Sequence, residues 1–156
     1  MPFLFTTQEL DMIQWVSNER ATIAKLVEHG RLWIVDKLPP LGLSTYDIWE
    51  ISAKEGDTRN KLIRRWANAP LPHGGDASEQ QFIEMLNTSA SPVLVLHNAD
   101  FVKGEQLVEI SLFLENYAPV VLVGDVLTIG AKAIANKNAA EFMQKAKFCI
   151  TPTMLF

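Results

Sequence analysis

Two stretches decide the fold: Pro92-Val93-Leu94-Val95-Leu96-His97 and Pro119-Val120-Val121-Leu122-Val123-Gly124. Each is an unbroken run of branched apolar residues behind a proline. A strand with one wet face alternates apolar and polar residues. A continuous apolar run instead reads as a strand buried on both faces, as in a parallel sheet. Between them, residues 103–117 carry Leu107, Ile110 and Leu114 at helical spacing. Strand, helix and strand of this kind make a βαβ unit.

Working outward, the same alternation continues. Leu32-Trp33-Ile34-Val35 is a further short apolar run, followed by a loop over 38–45 that Pro39, Pro40 and Gly42 punctuate. Residues 46–52 suit a strand, from the β-branched and aromatic Ile48, Trp49 and Ile51. Residues 57–68 read as a helix with Leu62, Ile63 and Trp66 inward and Arg59, Lys61, Arg64 and Arg65 outward. Asp76-Ala77-Ser78-Glu79 is a capping box for a helix that carries Phe82, Ile83 and Leu86. Residues 127–145 are helix-compatible, and Phe148-Cys149-Ile150 forms a last strand. At the other end, Thr6-Thr7-Gln8-Glu9 is a second capping box. It opens a helix through Leu10, Ile13, Trp15, Val16, Ile23, Leu26 and Val27, which Gly30 stops. The expectation is one α/β domain over 1–156, with an N-terminal helix over 1–30 and a sheet core over 31–156. The core is a three-layer α/β/α with a mainly parallel sheet of about five strands.

Composition narrows the function. The chain has 156 residues, 48% of them apolar and 21% charged, with 14 Lys+Arg against 18 Asp+Glu. That is too apolar for a disordered chain and long enough for a real core. A pI near 5.3 argues against a bulk electrostatic binder of nucleic acid, which would engage it only indirectly. A single Cys makes neither an internal disulfide nor a zinc site, so a reducing compartment is expected. The apolar start Met1-Pro2-Phe3-Leu4-Phe5 lacks a basic n-region and stops at Thr6, and the apolar runs have strand length. A cytoplasmic protein without membrane association is expected.

In an open α/β sheet, ligands bind beyond the carboxyl ends of the strands. The residues there are 36–45, His97 to Asp100, and Gly124-Asp125. Over residues 92–151 the chain resembles the core of AAA-type P-loop ATPases, and most of all the transposition-helper ATPases of mobile elements. The resemblance rests on Val93-Leu94-Val95-Leu96-His97-Asn98-Ala99-Asp100, the helix after it, and Pro119-Val120-Val121-Leu122-Val123-Gly124-Asp125. It implies a P-loop NTPase-like fold without the helical lid. It also implies that the strand ending at His97 lies between the first strand and the one ending at Gly124. The alternative is a different doubly wound fold whose strands match by composition alone.

The motif residues depart from that family. The P-loop pattern falls on Lys37-Leu38-Pro39-Pro40-Leu41-Gly42-Leu43-Ser44-Thr45. Gly42 and Ser44 align, but Lys37 replaces the first glycine and Leu43 the catalytic lysine, and two prolines remove N–H donors. His97 stands where the resemblance places a magnesium-associated Asp, and Asn98 where it places the water-activating Glu. Neither is the anionic group that Mg²⁺ or a general base requires. After Arg65 the chain has no Arg, so only Lys145 and Lys147 stand near the place of a trans-acting arginine.

Two readings follow from different classes. In one, the chain is a non-hydrolysing, P-loop-like interaction or regulatory module, an accessory of a mobile element, with no cofactor and no metal. Its partner is another protein or a second copy of itself, and the apolar Met154-Leu155-Phe156 and Phe3-Leu4-Phe5 suit self-association as well as packing on the core. In the other, it binds ATP and Mg²⁺, or hydrolyses ATP, through non-standard residues. The catalytic candidates are Asp100, Asp125 and His97, and the cofactor-binding candidates are Gly42, Ser44 and Thr45. Against the second reading, His97 also suits a hydrogen-bonded structural role, and Asp100 and Asp125 suit helix caps. His73-Gly74-Gly75-Asp76 reads as a turn, the basic face of 57–68 as solvated, the four tryptophans as core, and Cys149 as a buried inert thiol.

Overall fold

The computed structural model describes residues 15–17, 22–42, 45–68 and 79–150. The elements run β1 (Trp15–Ser17), α1 (Ile23–His29), β2 (Leu32–Val35), β3 (Asp47–Ser52), α2 (Arg59–Asn68), α3 (Glu79–Thr88), β4 (Pro92–His97), α4 (Gly104–Leu114), β5 (Val120–Val123), α5 (Val126–Ile134), α6 (Ala139–Lys145) and β6 (Ala146–Ile150). A 3-10 turn, Ala99–Phe101, separates β4 from α4.

The six strands form one sheet in the order β1-β6-β2-β5-β4-β3, with every pair parallel. Counted from β2, the core order is 5-1-4-3-2. Strands β2 and β3 are consecutive in the chain but stand two strands apart. That excludes the common doubly wound orders, in which the first two strands are neighbours. The fold is a P-loop-like, three-layer α/β/α. The strand between β2 and β4 is β5, which ends at Val123, and not β4, which ends at His97. This reverses the neighbour relation that the family resemblance implies.

Chain direction explains the layers. The steps β1 to β2 and β2 to β3 run one way along the sheet, and those from β3 through β6 run back. Right-handed crossovers then place the two sets of connections on opposite faces. One face packs Leu32, Ile34, Leu94, Leu96, Leu122 and Phe148 under residues of α2 to α6. The other packs Trp33, Val35, Val93, Val95, Val121, Val123 and Cys149 with Ile23 and Leu26 of α1. The strands are buried on both sides, which is why they read as unbroken apolar runs. Trp33, Trp49 and Trp66 are buried, and each indole N–H finds an acceptor: Leu26 O at 2.8 Å, Asp47 Oδ2 at 2.9 Å and Trp49 O at 3.0 Å. Trp66 and Trp49 both pack on the Phe82 ring.

Two expectations about the elements need correction. Trp15–Ser17 is a strand paired with Phe148, Cys149 and Ile150, not part of a helix over 1–30. The spacing of Val16, Ile23, Leu26 and Val27 mimics one apolar helix face, but β6 needs a neighbour on its outer side, and aromatic and β-branched residues supply it. The sheet therefore has six strands, one more than the sequence suggests. The helix expected over 127–145 is two helices. Asn136 breaks it: its Oδ1 accepts the Asn138 N–H at 2.9 Å, which competes with helical bonding. The capping boxes at Thr6 and Asp76 lie outside the described residues, wholly or in part.

Candidate functional site at the carboxyl ends of the strands

The connections of β2 and β5 leave toward opposite faces, so the crevice between their carboxyl ends is the topological switch point of the sheet. Residues 36–42 follow β2 there, and Gly124-Asp125 follow β5.

After β2 the chain reaches β3 without a helix among the described residues of 36–46. A P-loop depends on such a helix, because its N-terminal N–H groups and dipole hold the phosphates. Here the loop instead turns its carbonyls toward α1. Ile23 N donates to Pro40 O at 2.9 Å, and Ala24 N donates to Leu41 O at 3.2 Å. Thr22 caps the same helix through Oγ1, which accepts the Lys25 N–H at 3.1 Å. Leu38 and Leu41 pack into the apolar cluster on that face. Gly42 adopts φ +90°, and a Cβ there would stand 3.1 Å from Thr22 Cβ and Oγ1. That conformation and that close approach both favour glycine. Thr45 is exposed, and Ser44 lies outside the described residues.

His97 and Asn98 end β4. His97 Nε2 lies 2.7 Å from Glu50 Oε1 on the adjacent edge strand β3. The nitrogen is the donor, since an ionised carboxylate only accepts. Asn98 turns the chain with φ 56°, a left-handed conformation that Asn tolerates well. Asp100 sits in the next turn, and its carboxylate lies against Gly124. Asp125 caps α5: Oδ1 accepts the N–H of Leu127 at 3.1 Å and of Thr128 at 3.4 Å. The structure thus brings Asp100 up to the residue before Asp125, but gives the two carboxylates different surroundings. Among the described residues, no three of His, Cys, Asp and Glu come together as a metal-ligand set.

The lysines near the place of a trans-acting arginine lie at the amino edge of the sheet, opposite this crevice. Lys145 Nζ is 2.7 Å from Glu115 Oε1 and 3.8 Å from Glu141 Oε1. The hydrogen bond to Glu115 raises its pKa. Lys147 Nζ donates to His29 O, with its stem across Gly30. On α2, Arg59 pairs with Glu79 at 2.7 Å, approaches Glu109 at 3.8 Å and lies 4.4 Å above the Phe113 ring. Arg65 pairs with Asp57 at 2.6 Å. Lys61 and Arg64, the rest of that basic set, are exposed. Cys149 is buried, and burial, with the Asp36 charge second, pushes its thiol up to about 11.

Sequence reasoning missed Glu50 as the partner of His97, Asp57 as the partner of Arg65, and the exposed Phe101. The spacing of Ile48 and Glu50 fixes the face that Glu50 occupies, but its partner follows only from β3 lying beside β4.

The fold is a P-loop-like α/β/α domain in which the described residues between β2 and β3 form no helix. No family model matches the chain, and no curated protein matches it. Among the described residues, no helix is long and apolar enough to cross a membrane.

Proposed function

We propose that the chain is a non-hydrolysing, P-loop-like module that works through contact with another protein. The observation that carries this reading is the segment after β2. Its carbonyls at Pro40 and Leu41 face the first N–H groups of α1, Leu38 and Leu41 fill apolar space, and no helix stands among its described residues to hold a phosphate. The chemistry of the neighbouring positions agrees. His97 is turned to Glu50, and Asp125 is spent on capping α5. In phosphoryl transfer, loss of one transition-state charge costs about 10³–10⁵ in rate, and here the lysine, the two acidic groups and the arginine are all replaced.

The test is calorimetric titration of the intact chain with ATP and Mg²⁺, alongside a phosphate-release assay. The expected result is no heat of binding at micromolar ATP and no release above the buffer rate. Micromolar affinity with turnover would overturn the proposal.

A further inference from the structure

We infer that the outer edge of β3 takes an extended, non-acidic segment of a partner protein as an added strand. The inference rests on the interaction-module reading and names its surface. Among the described residues, β3 is the last strand on its side of the sheet and pairs with β4 alone. Asp47 N donates to Ser91 O at 3.0 Å and Ala53 N to His97 O at 2.8 Å, so this alternate set of residues turns its backbone groups to β4. The other set, Ile48, Glu50 and Ser52, therefore presents N–H and C=O outward. Arg65 Nη1 donates to Ser52 O at 2.9 Å from that outer side. Ile48 and Glu50 carry the rest of the row.

Edge strands are ordinarily blunted by a proline, a bulge or a charge held over the edge. Strand β3 has no proline, and its register against β4 is unbroken over Asp47–Ser52. Its two acids are turned to their own molecule. Asp47 Oδ2 accepts from Trp49 Nε1 at 2.9 Å and from Ser89 Oγ at 2.7 Å. Glu50 Oε1 lies 2.7 Å from Nε2 of His97, on the inner neighbour β4. Ile48 packs on the α1-side cluster, and Trp49 and Ile51 are buried on the opposite face. An edge of this kind binds through main-chain hydrogen bonds and selects through the flanking side chains. Glu50 decides the occupant. Antiparallel pairing of two copies that keeps Ile48 and Glu50 bonded inside β3 is centred on Trp49 or on Glu50. It sets the two Glu50 side chains diagonally or directly opposite, and like charges so placed repel. The same repulsion excludes an acidic residue beside Glu50, and Ile48 favours an apolar one beside it.

The test selects binders to the intact chain from a random-peptide phage library and measures synthetic copies of them by fluorescence anisotropy. The expected result is peptides with alternating apolar residues and few acids. N-methylation of every second peptide residue should abolish binding in one phase and spare it in the other, because only alternate N–H groups face β3. Ile48→Pro removes an outward N–H and leaves the ladder to β4 intact. Once shown to be folded by circular dichroism, it should bind about tenfold more weakly. If that variant does not fold, the two methylation phases still decide. A library without binders, peptides rich in Asp or Glu, equal effects of the two phases, or unchanged affinity in folded Ile48→Pro would overturn the inference. So would sedimentation showing a dimer that Ile48→Pro dissociates, because the occupant would then be a second copy. None of these outcomes depends on ATP, so failure here stays distinct from failure of the module reading.

Discussion

Gly124 and Asp100 meet so closely that a Cβ on Gly124 would overlap Asp100 Oδ1 and stand 3.3 Å from the Asp100 amide nitrogen. The contact ties the end of β5 to the turn after β4, while Gly124 N donates to Val35 O of β2 at 3.1 Å. One glycine thus joins the carboxyl ends of three adjacent strands. Gly124→Ala is expected to destabilise the fold by about 1–3 kcal/mol, the usual range for forcing extra volume into a packed site. In an Asp100→Ala background the same change should cost clearly less, because the overlapping oxygen is gone. Urea denaturation of the four members of this cycle measures the coupling, and additive effects would show that the two residues do not share the site.

Asp57 and Arg65 make the second crosslink, between the loop after β3 and α2. The Asp57 carboxylate accepts from Arg65 at 2.6 and 3.0 Å and from the Lys54 N–H at 2.7 Å. Arg65 also donates to Ser52 O. The hydrogen bond from Arg65, outweighing burial, holds the Asp57 carboxyl below its ordinary range. A carboxyl depressed in the folded state stabilises above its unfolded pKa and loses that stability as pH falls through the folded value. The wild-type chain should therefore lose this contribution below about pH 4. Asp57→Asn should be less stable at neutral pH by about 1–3 kcal/mol. Thermal melts across pH should show the two proteins converging under acid, and a constant gap would contradict the linkage.

How much of this was legible beforehand follows from what each feature depends on. The runs at Val93 and Val120 are apolar because helices cover one face and α1 with its loop covers the other, so they announce a parallel sheet directly. Strand Trp15–Ser17 was not legible, because its residues fit a helix face and only pairing with Phe148–Ile150 makes it a strand. At the site, the uncharged Leu43 and Asn98 and the His97 between strand and turn stand in the sequence. Glu50 on His97, and the two carbonyls of Pro40 and Leu41 on α1, are long-range pairings set by strand order, and no local pattern encodes them.

Ser111 offers a test in the opposite direction. Its hydroxyl is buried on α4, and no hydrogen-bond partner reaches Oγ. A buried polar group without a partner costs about 1–3 kcal/mol. Ser111→Ala is therefore expected to leave stability unchanged or raise it by about 1 kcal/mol, with Ala also the better helix former. A clear loss in a denaturant melt would show that the hydroxyl has a partner in solution.

Cys149 lies on β6 under α1, with its thiol pushed up to about 11 by burial. Thiolate is the reactive form, so at pH 8 the folded chain should present very little of it. Ellman's reagent is expected to titrate no thiol in the native protein and the single cysteine in guanidinium. Rapid native reaction would show that β6 and α1 separate far more readily than their packing implies.

Introducing the residues of the P-loop pattern tests whether side chains or backbone geometry set what the segment after β2 binds. Lys37→Gly together with Leu43→Lys supplies the first glycine and the lysine of the P-loop pattern. If missing side chains were the whole reason, the double variant would gain ATP. The loop, however, directs Pro40 O and Leu41 O at α1, keeps Leu38 and Leu41 in the apolar cluster, and has among its described residues no helix whose N–H groups a phosphate needs. Carbonyl oxygens repel phosphate oxygens, and the prolines at positions 39 and 40 have no N–H to offer. The double variant is therefore expected to stay folded and show no binding of a fluorescent ATP analogue at micromolar concentration. Saturable micromolar binding would mean that the segment opens readily, and that the absence of a lysine at position 43, not the backbone, limits nucleotide binding.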